Sequence, residues 1–501
     1  MELVFQDSKL EYLSRILCET VAQEQTADVI IPDSFPDAER VVDAFGTLLI
    51  RSEECTAGSA SVAGVVQAGV LFVSEQGQVQ CVQAQIPFSV RREFAQEQES
   101  CTLQCRCVLR SVDARALNSR KLLVRVGISC TLCVYAPQSH LCYDIAEPAE
   151  NLQLRRVELP LQMPLGLGEK NFGLNEELEL PNGKPAVSRL LKCLYRTQML
   201  EQRVVGTKAV FKGELTVHAL YESADETLHS HEWSVPFSQY AELERELDDC
   251  ELQTLLCLTS AETEADGQLD SRRLLTSVNL LAQCVASGTQ KLRLIVDAFC
   301  TDAVLSPQFD EWKVSGVLDR QLLRETAVAE CDEPAGSVVD AWLYPDDATK
   351  QRTGEQTEIE QPLNCNVLYY DADGALRGKT LRPSVRLAVP LAENSSCAVT
   401  EIAGGELYCA AGSGGLSLRV PVGVTVESSA VHPLRAVCGG EIAPLQQPVD
   451  ERPSLLLRRT EAETELWDIA RDCRTSVRSI REANDLPGDT VPEHTLLLIP
   501  M

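Results

Sequence analysis

The chain has 501 residues, 44% hydrophobic and 24% charged, with 45 Lys and Arg against 74 Asp and Glu for a formal net charge of −29. That length exceeds one hydrophobic core, which stops growing at roughly 250–300 residues, so three or four domains are expected. The composition is that of a folded chain, and the acidity disfavours nucleic acid and anionic membranes, which need a local basic patch; Arg91-Arg92, Arg272-Arg273 and Arg458-Arg459 are isolated pairs.

The sequence starts Met1-Glu-Leu-Val-Phe-Gln-Asp-Ser, acidic where an export signal needs a basic start and an apolar stretch. No run of about 18 apolar residues occurs anywhere, so no membrane-spanning helix is expected and a cytosolic protein is. Between Asp7 and Ala22, the residues Leu10, Leu13, Ile16, Leu17 and Val21 fall on one face at helical spacing. Residues 1–24 are therefore predicted to form an amphipathic helix packed on the first domain or on a partner. In that setting the 20 cysteines read as reduced, small apolar residues rather than a disulfide framework. The CxxC at Cys130-Thr-Leu-Cys133 lies in an alternating strand, where residues three apart face opposite ways and cannot easily share a metal.

A repeat with a period near 149 residues organises most of the chain. Asp28-Val-Ile-Ile-Pro-Asp-Ser-Phe-Pro-Asp37 returns as Glu179-Leu-Pro-Asn-Gly-Lys-Pro185, and at the same offset Gly64 meets Gly213, Leu71-Phe72 meets Leu220-Tyr221, and Ile86-Pro-Phe-Ser89 meets Val235-Pro-Phe-Ser238. Leu117-Asn-Ser-Arg-Lys-Leu122 pairs with Leu269-Asp-Ser-Arg-Arg-Leu274 at offset 152, a three-residue loop insertion. Val367-Leu-Tyr-Tyr370 and Leu416-Ser-Leu-Arg-Val420 mark a third, eroded copy. Alternation from Phe211 to Tyr221, answered by Val62 to Phe72, is the period of a half-buried strand. Turns are expected at Ser74–Gly77, Ser223–Glu226 and Asp371–Gly374; in the last, a hairpin is preferred to a calcium loop because the later ligands are missing. The prediction is a mainly β fold of three tandem antiparallel, sandwich-like repeats at 25–150, 174–300 and 325–448, with Pro160 to Gly173 as a linker and the third copy ending near Leu445–Asp450.

From 453 to 501 the pattern changes. Leu466, Ile469 and Ala470 form one apolar stripe and Val477, Ile480 and Ala483 a second, with Thr475-Ser476 as a cap between. Leu455-Leu-Leu457 and Leu496-Leu-Leu-Ile499 read as flanking strands, giving a small βααβ domain. That order, with Leu466-Trp-Asp-Ile-Ala470, Ile480-Arg-Glu-Ala-Asn-Asp-Leu486 and Leu497-Leu-Ile-Pro500, resembles the LysM family, which binds N-acetylglucosamine glycans through the loops before the first helix and after the second. The resemblance implies ligand- or partner-binding loops at Glu463, Thr464, Glu465, Leu466, Asn484, Asp485, Leu486 and Pro492, over a core of Trp467, Ile469 and Ile480. Family members usually carry Gly-Asp-Thr and Pro-Gly where this chain has Glu463-Thr-Glu465 and Pro492-Glu493. The added acids bring bulk and charge to a ligand-approach position, which disfavours glycan and leaves the helical face intact.

The repeats resemble the SPOCS domain through residues 28–37, the strand from Gly64 to Val73, Ile86–Ser89 and Ala114-Arg-Ala-Leu-Asn-Ser-Arg-Lys-Leu122. With a LysM-like tail, the arrangement is similar to that of the SipL-type proteins of endospore-forming bacteria. The resemblance implies a mother-cell cytosolic protein at the forespore surface that helps assemble the spore coat by docking on the coat's ATP-hydrolysing basement-layer morphogenetic protein. The alternative is recognition of peptidoglycan of the cortex or cell wall.

No G-x-S-x-G, H-E-x-x-H, P-loop or G-x-G-x-x-G occurs, and Gly412-Ser-Gly-Gly415 lacks the Lys-Ser/Thr of a phosphate loop. His229 and His231 lie in a loop and read as a solvated hairpin pair; on a strand they would share a face and could hold a metal, but no third ligand is evident, and the run Glu242–Asp249 reads as a solvated surface. The expectation is thus no enzyme: no catalytic residue, no metal, no cofactor, and no nucleic-acid or inserted-membrane partner.

Overall fold

The computed structural model describes residues 6–95, 100–144, 151–267, 271–412, 414–444 and 453–501. The end expected for the third copy, at 445–450, lies outside them, as do Leu269, Asp270 and Ser413. Strands dominate, and the described residues hold two short helices, both near the C-terminus.

In the first segment β1 (Gln6–Ile30), β2 (Ala38–Thr56), β3 (Ser59–Ser74), β4 (Val79–Glu93), β5 (Thr102–Asn118) and β6 (Lys121–Asp144) form two sheets, β1-β6-β5 and β2-β3-β4. The helix expected over 1–24 is corrected here: its described part is strand, antiparallel to β6 from Gln6↔Asp144 to Ile30↔Lys121. The reason is tertiary. Leu122, Val124, Val126, Ile128, Cys130, Leu132 and Val134 of β6 are all fully buried, and a paired strand covers that row continuously where a helix would not. A register shift between Arg15 and Leu17 lets both Ile16 and Leu17 pack on the core, which is how helical spacing fits a bulged strand.

The second segment comprises β7 (Leu152–Glu179), β8 (Arg189–Glu222), β9 (Leu228–Leu247), β10 (Glu251–Ala265) and β11 (Arg273–Cys300). The linker expected over Pro160–Gly173 is also corrected: β7 runs through it, paired with β11 from Leu152↔Cys300 to Glu179↔Arg273. Pro160 and Pro164 sit opposite Lys291 and Ser287, and Pro164 adjoins a register shift between Ala286 and Ser287, an irregular place where a missing N–H is tolerated. The third segment is β12 (Ala303–Cys331), β13 (Ala335–Pro345), β14 (Thr349–Thr353), β15 (Gln356–Asp371), β16 (Leu376–Leu381), β17 (Ser384–Pro390), β18 (Ser395–Gly404), β19 (Tyr408–Gly412) and β20 (Gly415–Pro444).

One pairing recurs along the chain. The long opening strand of each segment pairs with its closing strand, which pairs in turn with a strand between them: β1-β6-β5, β7-β11-β10 and β12-β20-β18. Local contacts recur too. At Ser74, Ser223 and Asp371 the N–H donates to the carbonyl four residues on, and Gly77, Glu226 and Gly374 close the turns with φ of 81°, 62° and 79°. The Pro32 and Pro181 carbonyls accept from the Phe35 and Lys184 N–H groups, and each turn is clamped by one arginine. Arg120 donates to the Pro32 and Phe35 carbonyls, and Arg272 to those of Leu180, Pro181 and Lys184. Gly64 opposes Phe88 and Gly213 opposes Phe237. A Cβ on Gly64 would lie 2.7 Å from the Phe88 ring, and one on Gly213 would strike the Phe237 ring and lie 2.7 Å from the Gln198 carbonyl oxygen, so no larger residue fits.

Beyond residue 453 lie β21 (Leu455–Arg459), β22 (Thr464–Glu465), α1 (Leu466–Cys473), α2 (Val477–Ala483), β23 (Thr490–Val491) and β24 (Leu496–Pro500), with β21 paired to β24 and β22 to β23. Leu466, Ile469, Ala470, Ile480, Val491, Leu497 and Ile499 close a core that also takes in Phe299 of β11.

Candidate functional site

Two places concentrate functional groups: the C-terminal unit, and the junction where the three β-rich segments meet.

In the C-terminal unit the Ser476 hydroxyl accepts from the Ser479 N–H at 2.9 Å to start α2, and Arg474 ends α1 in the left-handed region at φ 54°. The loop residues picked from sequence fall into two groups. Leu466 is fully buried, its N–H donating to the Asp489 carbonyl at 2.7 Å. Asn484 is a staple: its amide donates to the Ile480 and Leu498 carbonyls and its oxygen accepts from the Leu498 N–H at 2.7 Å. Leu486 is half-buried against the core, and the Pro492 carbonyl accepts from the Thr460 and Thr495 hydroxyls. These four hold the fold. Glu463 and Asp485 are exposed, the latter at φ 51°, and Thr464 pairs with Val491 while its hydroxyl donates to the Ala462 carbonyl.

Glu465 is engaged elsewhere, in an ion pair with Arg155 of β7 at 2.6 Å. Next to it Trp467 donates its indole N–H to Asp297 Oδ2 at 2.8 Å, Arg471 donates to the same oxygen at 2.8 Å, and Phe299 meets the Trp467 ring edge-on at 5.0 Å. The face of α1 that sequence assigned to an internal core is thus also the seat of the unit on the second segment; Ile469 and Ile480 are internal. Arg155, Arg435, Arg471 and Arg474 line a cleft of about 620 Å³ along this seam, brought together from β7, β20 and the end of α1, three places that show no basic patch in sequence.

The other side of the unit is bare. Register places Leu455, Leu457 and Arg459 opposite Pro500, Leu498 and Leu496 on one face of the β21–β24 ladder, with Leu497 and Ile499 on the opposite face. The inner pair is fully buried, whereas Leu457 is 61% and Leu496 64% exposed. Leu455 and Leu498 extend the same apolar face. An alternating strand must present every second residue outward, so the two Leu-Leu-Leu triplets were the available signal for this patch.

At the junction, position matters more than motif. Lys192 stands 149 residues after Asp43, and Asp340 stands 148 after Lys192; the three segments bring them together. Lys192 Nζ lies 2.8 Å from Asp43 and 2.9 Å from Asp340, all buried. His218 Nε2 lies 2.6 Å from Asp340, its Nδ1 3.1 Å from Glu232, and its ring 5.3 Å from Trp342. Tyr344 ties the first segment to the third, its hydroxyl accepting the Gly46 N–H at 3.1 Å. Burial alone would push the Lys192 ammonium down, but Asp340 and Asp43 outweigh it and raise it. Burial likewise opposes the Asp340 carboxylate, yet Lys192 and His218 hold it well below the carboxylate range. His218, against burial, is held up to about 9 by Asp340 and Glu232, while burial wins at Asp43 and raises it. Such a cluster fixes relative position; a buried pair of this kind specifies geometry more than it adds stability.

The remaining sequence candidates separate. His229 Nε2 lies 2.7 Å from the Thr227 hydroxyl and His231 meets Trp233 edge-on; among the described residues no group of three ligating side chains is placed to hold a metal. Cys130 is fully buried and pairs across the ladder with Cys107, while Cys133 faces the other way, opposite Cys18. No described helix is long and apolar enough to cross a membrane.

No curated protein and no solved structure matches the chain. Residues 186–256, which run through β8 and β9 into β10 and include Lys192, Gly213, His218 and Phe237, match the family model described as SipL, SPOCS domain. The second β-rich segment is therefore similar to the SPOCS domain of SipL-type proteins.

Proposed function

We propose that this chain is a non-enzymatic interaction protein of spore-coat assembly, built of three SPOCS-like units and a LysM-like tail that docks on the basement-layer morphogenetic ATPase of the coat. The sporulation context rests on the similarity of residues 186–256 to the SipL SPOCS domain. The extension to three units rests on the recurring strand pairing, on the arginine-clamped proline turns of the first two segments and on the turns at Ser74, Ser223 and Asp371. The three meet at one buried charge cluster and act as a rigid platform in the cytosol of the mother cell, at the forespore surface.

The observation that carries the docking role is the outward apolar face of β21 and β24. A unit of this size has little reason to expose four leucines on one small sheet, and an apolar patch rimmed by polar residues marks a protein contact. Glycan recognition is the weaker reading because several of its loop residues are committed: Glu465 to Arg155, Asn484 to Leu498, and Leu466 and Leu486 to the core.

The experiment is to sediment the full-length chain with insoluble peptidoglycan and, separately, to titrate it against the purified ATPase. Binding to the ATPase and not to peptidoglycan is expected. Pelleting with peptidoglycan and no affinity for the ATPase would overturn the reading, and glycan affinity gained only by Glu463→Gly with Glu493→Gly would identify the acids as what excludes it.

A further inference from the structure

Among the described cysteines Cys18 is the exposed one; the other eighteen are buried or half-buried. It lies on β1 directly opposite Cys133 of β6. Both line a cavity of about 420 Å³ that all three β-rich segments enclose, with Arg15, Arg106, Tyr135, Asp346, Asp347, Lys350, Glu427 and the buried Cys397 as the titratable and charged groups facing them. Directly opposed cysteines on antiparallel strands have Cβ atoms about 4.5–5.5 Å apart, so a backbone approach of up to about 1 Å brings them to the distance a disulfide needs. We propose that Cys18 and Cys133 form a redox-active dithiol, a modification site that a small-molecule disulfide enters through this cavity and converts to an intramolecular bridge.

The chemistry is the two-step exchange of thiols with disulfides. The Cys18 thiolate attacks one sulfur of the small disulfide, forming a mixed disulfide and releasing one small thiolate, which takes up a proton. Cys133 then loses its proton and its sulfur attacks that of Cys18, closing the bridge and expelling the second small thiol. Two electrons leave the protein pair and reduce one small disulfide to two thiols. The environment favours Cys18 as the attacking group. The Cys133 thiol and Arg15 beside it outweigh burial and hold the Cys18 thiol down at about 7, where attacking thiols work best near neutral pH. Cys133 is raised by the same partnership, which suits a resolving thiol.

The protein supplies its own comparison. Cys55 Sγ and Cys101 Sγ lie 2.7 Å apart, but burial pushes the Cys55 thiol up to about 12. If nearness alone governed oxidation, that pair would close first; if thiolate character and access govern it, Cys18 and Cys133 will.

The test treats the reduced full-length chain with oxidised glutathione at pH 7, quenches with an alkylating agent at timed intervals, and maps modified peptides by mass spectrometry. Expected are a Cys18–Cys133 bridge forming at least tenfold faster than any Cys55–Cys101 bridge, trapped glutathione on Cys18 in Cys133→Ser, and no modification of Cys133 in Cys18→Ser. The rate should rise with pH through a midpoint near 7. Circular dichroism and unfolding midpoint check that both serine variants are folded. Cys18 labelling no faster than Cys55, or a glutathione adduct on Cys18 that Cys133 never resolves, would overturn the proposal.

Discussion

Replacing Lys192 by methionine keeps the apolar stem and removes the ammonium, leaving the carboxylates of Asp43 and Asp340 facing each other in the junction, with His218 paired to Asp340. Side-chain exposure is 1% for Lys192, 6% for Asp43 and 0% for Asp340, so solvent screens the loss very little. Breaking a buried pair by deleting one partner costs about 3–5 kcal/mol, and here the deletion strands Asp43 and leaves Asp340 to His218. Adding Asp43→Asn to Lys192→Met removes the stranded charge and leaves the Asp340–His218 contact intact, so the double variant should recover at least about 1 kcal/mol, a positive coupling of neighbouring sites. Urea unfolding followed by circular dichroism and by tryptophan fluorescence measures both, since Trp342 sits at the junction against His218. A cost under about 1 kcal/mol for Lys192→Met, or a double variant less stable than the single, would refute the view that this cluster joins the three segments.

The same cluster predicts a pH dependence. His218 is held up to about 9 against an ordinary value of 6.5, so its contribution is fully present below about 6.5 and lost as pH rises through 9. Linkage caps this near 3 kcal/mol, and in His218→Gln the alkaline decline in unfolding midpoint between pH 6.5 and 9 should flatten. At Gly213 an alanine would meet the Phe237 ring and cost about 1–3 kcal/mol; Gly213→Ala with Phe237→Leu should recover part of it in the same urea assay. Glu226 holds φ 62° where the equivalent turns have Gly77 and Gly374, so Glu226→Gly should raise stability by roughly 0.5–1 kcal/mol, read as a higher melting temperature. Asp297→Ala removes the shared acceptor of Trp467 and Arg471, and hydrogen exchange in α1 should quicken while that of β3 stays as it was.

The β-rich architecture was legible because period-two alternation in segments such as Phe211–Tyr221 is a local signal, and the turn at Asp371–Gly374 is a local chemistry. At the 149-residue offset, Gly64 lies opposite Phe88 and Gly213 opposite Phe237. What failed was decided at a distance. The Asp7–Ala22 stripe satisfies a helix until β6 offers a continuous buried row to pair with, and a bulge near Ile16 absorbs the mismatch. Prolines 160 and 164 looked like a linker because their place in a ladder, with an irregular register at Pro164, is set by the distant β11. At the candidate site, the core role of Ile469 and Ile480 came from spacing, but the seat of Trp467 on Asp297 and Phe299 had no sequence signal, the two sides lying about 170 residues apart. The Asp43–Lys192–Asp340 cluster was equally hidden, since nothing in a single lysine tells that it will be buried between two acids.

The proposed docking on the outward sheet face of the C-terminal unit is tested most directly by the affinity of the full-length Leu457→Glu, Leu498→Glu variant for the coat basement-layer ATPase. Burying each leucine is worth up to about 1.5–3 kcal/mol, and about 1.4 kcal/mol is a factor of ten, so binding should weaken at least tenfold while the unfolding midpoint stays within a degree or two of the parent's. Undiminished affinity in a folded variant would contradict the account.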